Sequence, residues 1–145
     1  MLKVSKLKER YLKIAKKDGI NEQELKSIEY VLGLTLPEDF KKISQFFSGG
    51  CLGTVENYSF IQGKWNNIID ETKRLRETVK LPSKFIVLAE PPESLIVMDV
   101  ESKPSIIWCD SVDVYNLENK SYIRNPDIWE NYMDFFEELL SDEES

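Results

Sequence analysis

Residues Ile28 to Gly50 read IEYVLGLTLPEDFKKISQFFSGG, and this stretch decides the fold. A predicted helix ends at Gly33, where a residue with positive φ suits the position after a helix. A second helix is predicted from Pro37, whose fixed φ and missing N–H suit the first helical turn. Gly49 and Gly50 then stop it. Its expected core face is Phe40, Ile43, Phe46 and Phe47. The stretch indicates an architecture and carries no evident chemistry.

Helical patterns continue on both sides of this stretch. Apolar residues at helical spacing predict a first helix that ends at Asp18-Gly19, and Asn21 with Glu24 forms a capping-box pattern that begins the next. Further helices are predicted around residues 68–79 and after Asn125-Pro126-Asp127. The first helix is expected to bury Val4, Leu7, Tyr11, Ile14 and Ala15, and the last Ile128, Trp129, Tyr132, Phe135, Phe136, Leu139 and Leu140.

Between the helices, short runs rich in β-branched residues have the pattern of strands. They are residues 54–55, 58–61, 85–89, 95–100, 106–109 and 112–115. The sequence therefore predicts one α+β domain over residues 1–145, with a central antiparallel sheet of about four to six strands and the terminal helices packed mainly on one face. The other face is expected to stay open to a partner. The acidic residues 141–145 are expected to form a frayed tail.

Composition and charge narrow the function classes. The formal charge of −7 gives a surface that repels phosphate, so no nucleic-acid partner is expected. The apolar runs are far shorter than the roughly 20 residues that cross a bilayer, and no membrane association is expected. Because no apolar signal region follows the basic start, the chain is predicted to be cytoplasmic.

The charge is also unevenly distributed. Residues 1–17 carry a net charge of +6, whereas residues 127–145 carry eight carboxylates and no base. Such asymmetry could mark two interaction surfaces of opposite sign. The alternative is that two amphipathic terminal helices expose ordinary solvated faces.

The chain has no histidine, which excludes Ser-His and Cys-His nucleophile pairs and His-based zinc motifs. Cys51 and Cys109 are too few for a structural zinc site. We expect both cysteines to be small buried residues, with a disulfide or a reactive thiol as alternatives. The glycines of residues 49–53 follow a helix instead of a strand and lack a phosphate-loop ending. No catalytic residue, cofactor or metal is predicted, and the chain is not expected to be an enzyme.

Some polar residues nevertheless require interpretation. Glu90 and Glu93 flank a diproline, and Asp110 and Asp113 are close in sequence, so each pair could bind a hard cation or act in acid/base chemistry. In so acidic a chain we expect them to be exposed turn carboxylates. Trp65 lies in a polar turn, where no helix or strand periodicity assigns it to the core. It is therefore a candidate anchor for a protein contact.

At this point the sequence resembles a known family. The residues that carry the likeness are Ile28-Glu29, Leu32-Gly33, Leu36-Pro37, Asp39-Phe40-Lys41, Phe46-Phe47 and Ser48-Gly49-Gly50, followed by the strands at 85–89, 95–100 and 106–108 and a closing helix with Tyr132, Phe135 and Leu139. Together they are similar to the SUKH superfamily, named after the Smi/Knr-type cell-wall regulators. One departure is Ser48, where the family pattern leads us to expect asparagine.

The resemblance implies a function. Bacterial members of this superfamily are mostly immunity proteins that bind and neutralise a toxin domain, very often a nuclease, by stoichiometric inhibition. A basic nuclease groove would attract an acidic chain. The alternative is a scaffolding module of the Smi/Knr regulatory type, and the partner surface is expected on the open sheet face and its rim. The candidate partner-binding residues are Trp65, Glu90, Glu93, Asp99, Asp110 and Asp113. The chain itself is expected to be a monomer or a weak homodimer.

Overall fold

The computed structural model describes residues 2–145, and its helices and strands alternate in blocks along the chain. In chain order they are α1 (Leu2–Leu12), α2 (Glu22–Leu32), α3 (Glu38–Ile43), β1 (Gly50–Leu52), β2 (Val55–Asn57), α4 (Ile68–Thr78), β3 (Phe85–Ala89), β4 (Ser94–Asp99), β5 (Ile106–Asp110), a 3-10 helix (Ser111–Asn116), β6 (Asp127–Trp129) and α5 (Tyr132–Glu144). The predicted α+β class is confirmed.

Asparagine side chains begin three of the helices by accepting hydrogen bonds from otherwise free backbone N–H groups. At α2, the predicted capping box is present. Asn21 Oδ1 accepts a hydrogen bond from Glu24 N at 2.8 Å, and Glu24 Oε1 accepts one from Asn21 N at 2.9 Å. The side chains of Asn67 and Asn131 likewise accept from Asp70 N and Asp134 N at the starts of α4 and α5. Gly33, at φ 68°, ends α2 in the left-handed conformation that its place in the sequence predicts.

The strands form two antiparallel sheets. The larger has the order β3-β4-β5-β6, and the smaller is the β1-β2 hairpin. The predicted strands over residues 85–89, 95–100 and 106–109 are therefore confirmed as β3 to β5. Residues 58–61, predicted as a strand, instead cross from the hairpin to the large sheet, where Tyr58 N donates to Leu88 O at 2.9 Å.

An aromatic cluster on one face of the large sheet forms the main core. Phe40 packs against Phe60 and Tyr132, with ring centroids 4.8 and 4.9 Å apart. Phe47 contacts both Phe60 and Phe136. These five rings are at most 1% exposed, and all except Phe60 were assigned to the core by the sequence pattern. The helix predicted to run from Pro37 to the glycine pair ends earlier, at Ile43, so Phe47 enters the core from the turn that follows α3.

The second face of the large sheet is covered, so the predicted open face is wrong. Val87, Val97 and Ile107 point to this face and are at most 1% exposed. Their cover consists of residues from α4, the loop after it and the segment after β5, namely Leu75, Leu81, Leu117 and the partly buried Val79, Val114 and Tyr122. Continuous apolar runs in β3 and β4 are typical of strands buried on both faces.

The segment after β5 differs from its prediction in two places. Residues 112–115, predicted as a strand, form the 3-10 helix, because Asp110 Oδ1 accepts from Val112 N at 2.9 Å and turns the chain. Ile128 and Trp129, predicted in the last helix, instead form β6, where they pair with β5. Asn131 Oδ1 accepts from Asp134 N at 2.8 Å, so α5 begins six residues later than the asparagine-proline signal suggested.

The first helix ends earlier than predicted, at Leu12 instead of Asp18-Gly19. Asp18 N donates to Phe46 O at 3.1 Å, so the chain here runs beside the end of α3. Gly19 is required by this approach, since a Cβ at that position would lie 2.0 Å from Gln45 O. Ile14, predicted in the core, is 44% exposed as a result.

The oppositely charged chain ends face each other. Arg10 donates to the Glu144 carboxylate through both Nε, at 3.1 Å, and Nη2, at 2.6 Å, and Lys3 Nζ lies 3.0 Å from Asp134 Oδ1. These ion pairs favour the interpretation of two amphipathic helices that pack together. Residues 141–144, predicted to fray, continue α5, and the Glu143 carboxylate accepts from Gly53 N at 2.9 Å.

Candidate protein-binding site

A groove of about 620 Å³ lies between the β1-β2 hairpin, the loop before α4 and the diproline turn after β3. It contains two of the six candidate residues, Trp65 and Glu90, which are 25 positions apart in sequence. We call it the hairpin groove, and its other lining side chains include Glu56, Asn57 and Tyr58. The predicted anchor and one predicted carboxylate are therefore neighbours on one surface.

Trp65 is 89% exposed, although tryptophan is usually well buried. Its loop is held by Asn67, which is fully buried and donates through Nδ2 to Lys64 O at 2.8 Å. On the other side, Ser59 N donates to Asn66 O at 2.9 Å. The carbonyl groups of Lys64 and Asn66, the residues on either side of Trp65, thus each accept a hydrogen bond, and the exposed indole is presented by an ordered loop at low entropic cost to a partner.

A hydrogen-bonded group of side chains forms one wall of the hairpin groove. Tyr58 donates its hydroxyl proton to Glu90 Oε1 at 2.8 Å, and Arg74 also donates to that oxygen. Arg74 further donates to Glu71 Oε1 at 2.7 Å. Burial, together with the hydrogen bond to Glu90, raises the pKa of Tyr58 above its ordinary value, so the phenol remains protonated. The Glu90 charge is therefore largely neutralised inside the protein.

Two acceptors of the groove were not among the predicted residues. Within residues 2–145, Glu56 has no hydrogen-bond or ion-pair partner, and its side chain lies on the exposed face of β2. Asn57 is only 5% exposed and donates through Nδ2 to Gly50 O at 3.1 Å. The alternation of buried and exposed positions in a strand could have indicated Glu56 as exposed, but no sequence signal placed it beside Trp65.

Glu93 and Asp110 lie at the same end of the large sheet as Glu90. Ser94 pairs with Asp110 across β4 and β5, and Glu93 O accepts from Ser111 N at 3.0 Å. Glu93 is exposed, and Asp110 is partly buried with Arg124 Nε 3.8 Å from its Oδ2. These two carboxylates extend an acidic rim from the hairpin groove along the sheet end.

The remaining two candidates are buried and do not belong to this rim. Asp99, at 1% exposure, is at the opposite end of β4, where its Oδ1 accepts from Glu101 N and Ser102 N and its Oδ2 lies 3.3 Å from Lys84 Nζ. Asp113 is fully buried, so the expectation of an exposed turn carboxylate is wrong for it. In the folded protein, neither carboxylate is accessible to a partner.

Asp113 instead fastens the segment that covers the second sheet face. Its carboxylate accepts from Ile123 N at 2.7 Å, Arg124 N at 2.9 Å and Asn116 Nδ2 at 3.0 Å. Burial raises the pKa of Asp113, but these donors together hold it below its ordinary value. Asp110 therefore turns the chain into the 3-10 helix, whereas Asp113 holds the segment that follows this helix.

The described residues offer little for catalysis. No group of three or more Cys, Asp or Glu side chains among them is arranged to hold a metal ion. Cys109 is fully buried, and burial raises the pKa of its thiol to about 11, so it is a poor nucleophile at neutral pH. Cys51 is exposed, contrary to the expectation of a buried thiol. No helix over residues 2–145 is both long and apolar enough to span a bilayer.

Other exposed apolar side chains lie away from the hairpin groove. Tyr30, on the outer face of α2, is 89% exposed. A further set lies on the 3-10 helix, the following segment and β6, and consists of Val112, Tyr115, Ile123 and Ile128. Tyr30 also lines a groove, of about 670 Å³, in which the Glu22 side chain has no partner among the described residues. Because the two aromatic side chains are equally exposed, Tyr30 provides a comparison residue for Trp65.

Comparison with known protein families gives a match over most of the chain. The SUKH_5 family model, described as SMI1-KNR4 cell-wall, matches residues 3–141. No curated protein matches the chain significantly. The matched range includes every strand and all five α-helices in whole or in large part. The chain belongs to the SMI1-KNR4 family of the SUKH superfamily.

Proposed function

We propose that this chain is an immunity protein that binds a cognate toxin domain, a basic nuclease, and neutralises it by one-to-one inhibition. The observation that carries the proposal is Trp65, 89% exposed on a fixed loop beside the hairpin groove. Tryptophan is enriched among the residues that contribute most to protein interfaces, and a rigid presentation lowers the entropic cost of association.

Charge also supports this proposal. The chain has a formal charge of −7, and Glu56, Glu90, Glu93 and Asp110 surround or extend the groove. A nuclease needs a basic surface to hold its phosphate substrate, and carboxylates of an inhibitor are attracted to the same surface. This complementarity would raise the association rate and cover the substrate groove.

The direct test is co-expression with the toxin domain encoded beside this chain. We expect growth to be rescued and a 1:1 complex to be recovered by size-exclusion chromatography. If the unaltered chain neither rescues growth nor binds the toxin domain, the proposal is wrong. Recovery of cell-wall or signalling proteins from the native host, with no toxin, would favour a scaffolding module instead.

A pair of matched variants locates the interface. Trp65→Ala should weaken toxin binding by about 2 kcal/mol or more, a factor of roughly 30, because a central aromatic anchor is removed. Its far-UV circular dichroism should not change, since the side chain is 89% exposed. Tyr30→Ala removes an equally exposed aromatic ring from α2 and should leave affinity unchanged. The reverse pattern would place the interface on α2.

A further inference from the structure

The hairpin groove has a chemistry more specific than a general protein-contact surface. Its volume of about 620 Å³ admits a complete side chain together with part of the backbone that carries it. Trp65 supplies an exposed aromatic face at this groove. Such a face attracts cations, and most strongly those that lose hydration easily.

The polar side chains of the groove present acceptors. Glu56 is without a partner in the described structure, so its full negative charge is available. Asn57 is more than nine-tenths buried, and because its Nδ2 is committed to Gly50 O, its Oδ1 is left as an acceptor with no partner among the described residues. Solvent reaches this oxygen, since among the described residues the fully buried side-chain atoms that lack a partner are Arg76 Nε and Asp99 Oδ2, and Asn57 lies on the face of β2 opposite to Glu56.

Glu90 shows what kind of donor this wall accommodates. Its carboxylate oxygen Oε1 already accepts from both the guanidinium of Arg74 and the hydroxyl of Tyr58. Since Arg74 neutralises this carboxylate, the attraction that the groove exerts on an external cation comes chiefly from Glu56. A guanidinium has five donors and no acceptor, is planar and stacks on aromatic faces, whereas an ammonium is compact and strongly hydrated.

We propose that the hairpin groove receives an arginine side chain of the partner, stacked on Trp65 and ion-paired with Glu56. This inference deepens the proposed function and rests on it for the identity of the partner. Arginine is the side chain that a phosphate-binding protein surface most readily supplies.

The test uses the purified full chain and short capped peptides, Gly-Arg-Gly and Gly-citrulline-Gly, in which citrulline is a neutral isostere of arginine. The signal is the indole N–H resonance of Trp65 in a ¹H–¹⁵N correlation spectrum, assigned with Trp65→Phe. The arginine peptide should shift it with a dissociation constant on the order of a few millimolar. The citrulline peptide should bind about five-fold more weakly or not at all.

Two charge-neutralising variants provide the matched control. Glu56→Gln should weaken the arginine peptide about five-fold, since it removes the unpaired carboxylate. Glu118→Gln makes the same change at an exposed position outside the groove and should leave the titration unaltered. Equal shifts with both peptides, or an unchanged affinity in Glu56→Gln, would overturn the inference.

The two proposals can fail separately. If the chain rescues growth from the toxin but the arginine peptide gives no Trp65 shift, the immunity function stands and the arginine-receiving groove is wrong. If the peptide binds with the expected charge dependence but no toxin is neutralised, the groove chemistry stands and the immunity function is wrong.

Discussion

Replacing Asn67 with alanine should both destabilise the protein and release the loop that carries Trp65. The Asn67 side chain makes three hydrogen bonds: Oδ1 accepts from Asp70 N at 2.8 Å, and Nδ2 donates to Lys64 O at 2.8 Å and to Asp70 Oδ2 at 2.9 Å. Loss of the helix cap costs about 1 kcal/mol. Loss of each of the two other bonds costs roughly 0.5–1 kcal/mol, because the partners regain water only in part.

The expected total is therefore about 2–3 kcal/mol, a large share of the roughly 5–15 kcal/mol by which a domain of this kind is stable. Asn67→Ser separates the contribution of the helix cap from that of the two hydrogen bonds donated by Asn67 Nδ2. Serine keeps a cap acceptor for Asp70 N but cannot reach Lys64 O, so its loss should be only about 1–2 kcal/mol. Trp65 should gain mobility in both variants, because the peptide group before it loses its tether.

The measurement is urea unfolding followed by far-UV circular dichroism. With a slope of about 2 kcal/mol per molar urea, Asn67→Ala should lower the midpoint by roughly 1–1.5 M without changing the slope. Asn125→Ala is the control, because Asn125 is exposed and its side chain has no hydrogen bond within the part of the chain that the structure describes. An Asn67→Ala midpoint within about 0.2 M of the unaltered protein would refute the reasoning.

Three other predictions concern features outside the hairpin groove. With a thiol reagent at neutral pH, Cys51 should react rapidly in the folded protein, whereas Cys109 should react only after unfolding. The reason is that Cys51 is exposed, while burial raises the pKa of the Cys109 thiol to about 11. Rapid reaction of both thiols in the folded protein would contradict this. Arg10→Ala should lower the free energy of unfolding by about 1 kcal/mol at low salt and by less at about 0.5 M NaCl, because the ion pair between Arg10 and Glu144 is partly exposed. A loss of stability that does not depend on salt would contradict this. The pKa of Asp113 is lowered by folding, so its stabilising contribution is complete above pH 3.8, the ordinary carboxyl value, and is lost as the pH falls from there through the folded pKa. Asp113→Asn should remove this acid dependence and increase hydrogen exchange over residues 111–126, and unchanged exchange would contradict it.

The parts of the fold that the sequence predicted well depend on local interactions. A capping side chain and the group that it caps are three residues apart, as at Asn21 and Glu24. The sequence pattern therefore directly predicts the hydrogen bonds between them. Gly33 likewise meets a local requirement for positive φ. Phe40 and Ile43 of α3 lie in the predicted core because helical periodicity fixes which side chains share a face, whereas Phe46 and Phe47 reach the same core from the turn after the helix.

The errors arose where a distant partner decided the local conformation. Ile128 and Trp129 have apolar side chains that suit a helix face, but pairing with β5 satisfies their backbone groups in a strand. Val112 and Val114 favour a strand, but the side chain of Asp110 caps a 3-10 helix at that point. The cover over the second sheet face could not be predicted, because it combines α4, the loop after it and the segment after β5, and no local pattern indicates which face of the sheet they cover.

The candidate site shows the same division. Trp65 was recognisable from sequence because it is a large apolar residue in a polar turn, and the structure shows it to be exposed, while its role as an anchor stays a prediction. Whether a carboxylate is free, paired or buried depends on groups brought near it by folding. Glu90 and Asp113 look alike in sequence, but one is held by Arg74 at a groove and the other lies in the interior.

By itself, the sequence determined the class of fold, the family, the main aromatic core and the acidic character of the surface. The family follows from the resemblance of the quoted motifs, and the other features follow from composition and periodicity, which depend on residues close together in the chain. Only the tertiary structure joined Trp65 to Glu56 and Asn57, excluded Asp99 and Asp113 from the surface and covered the second face of the sheet. These outcomes depend on strand pairing and burial between distant segments, for which the one-dimensional pattern contains no unique solution.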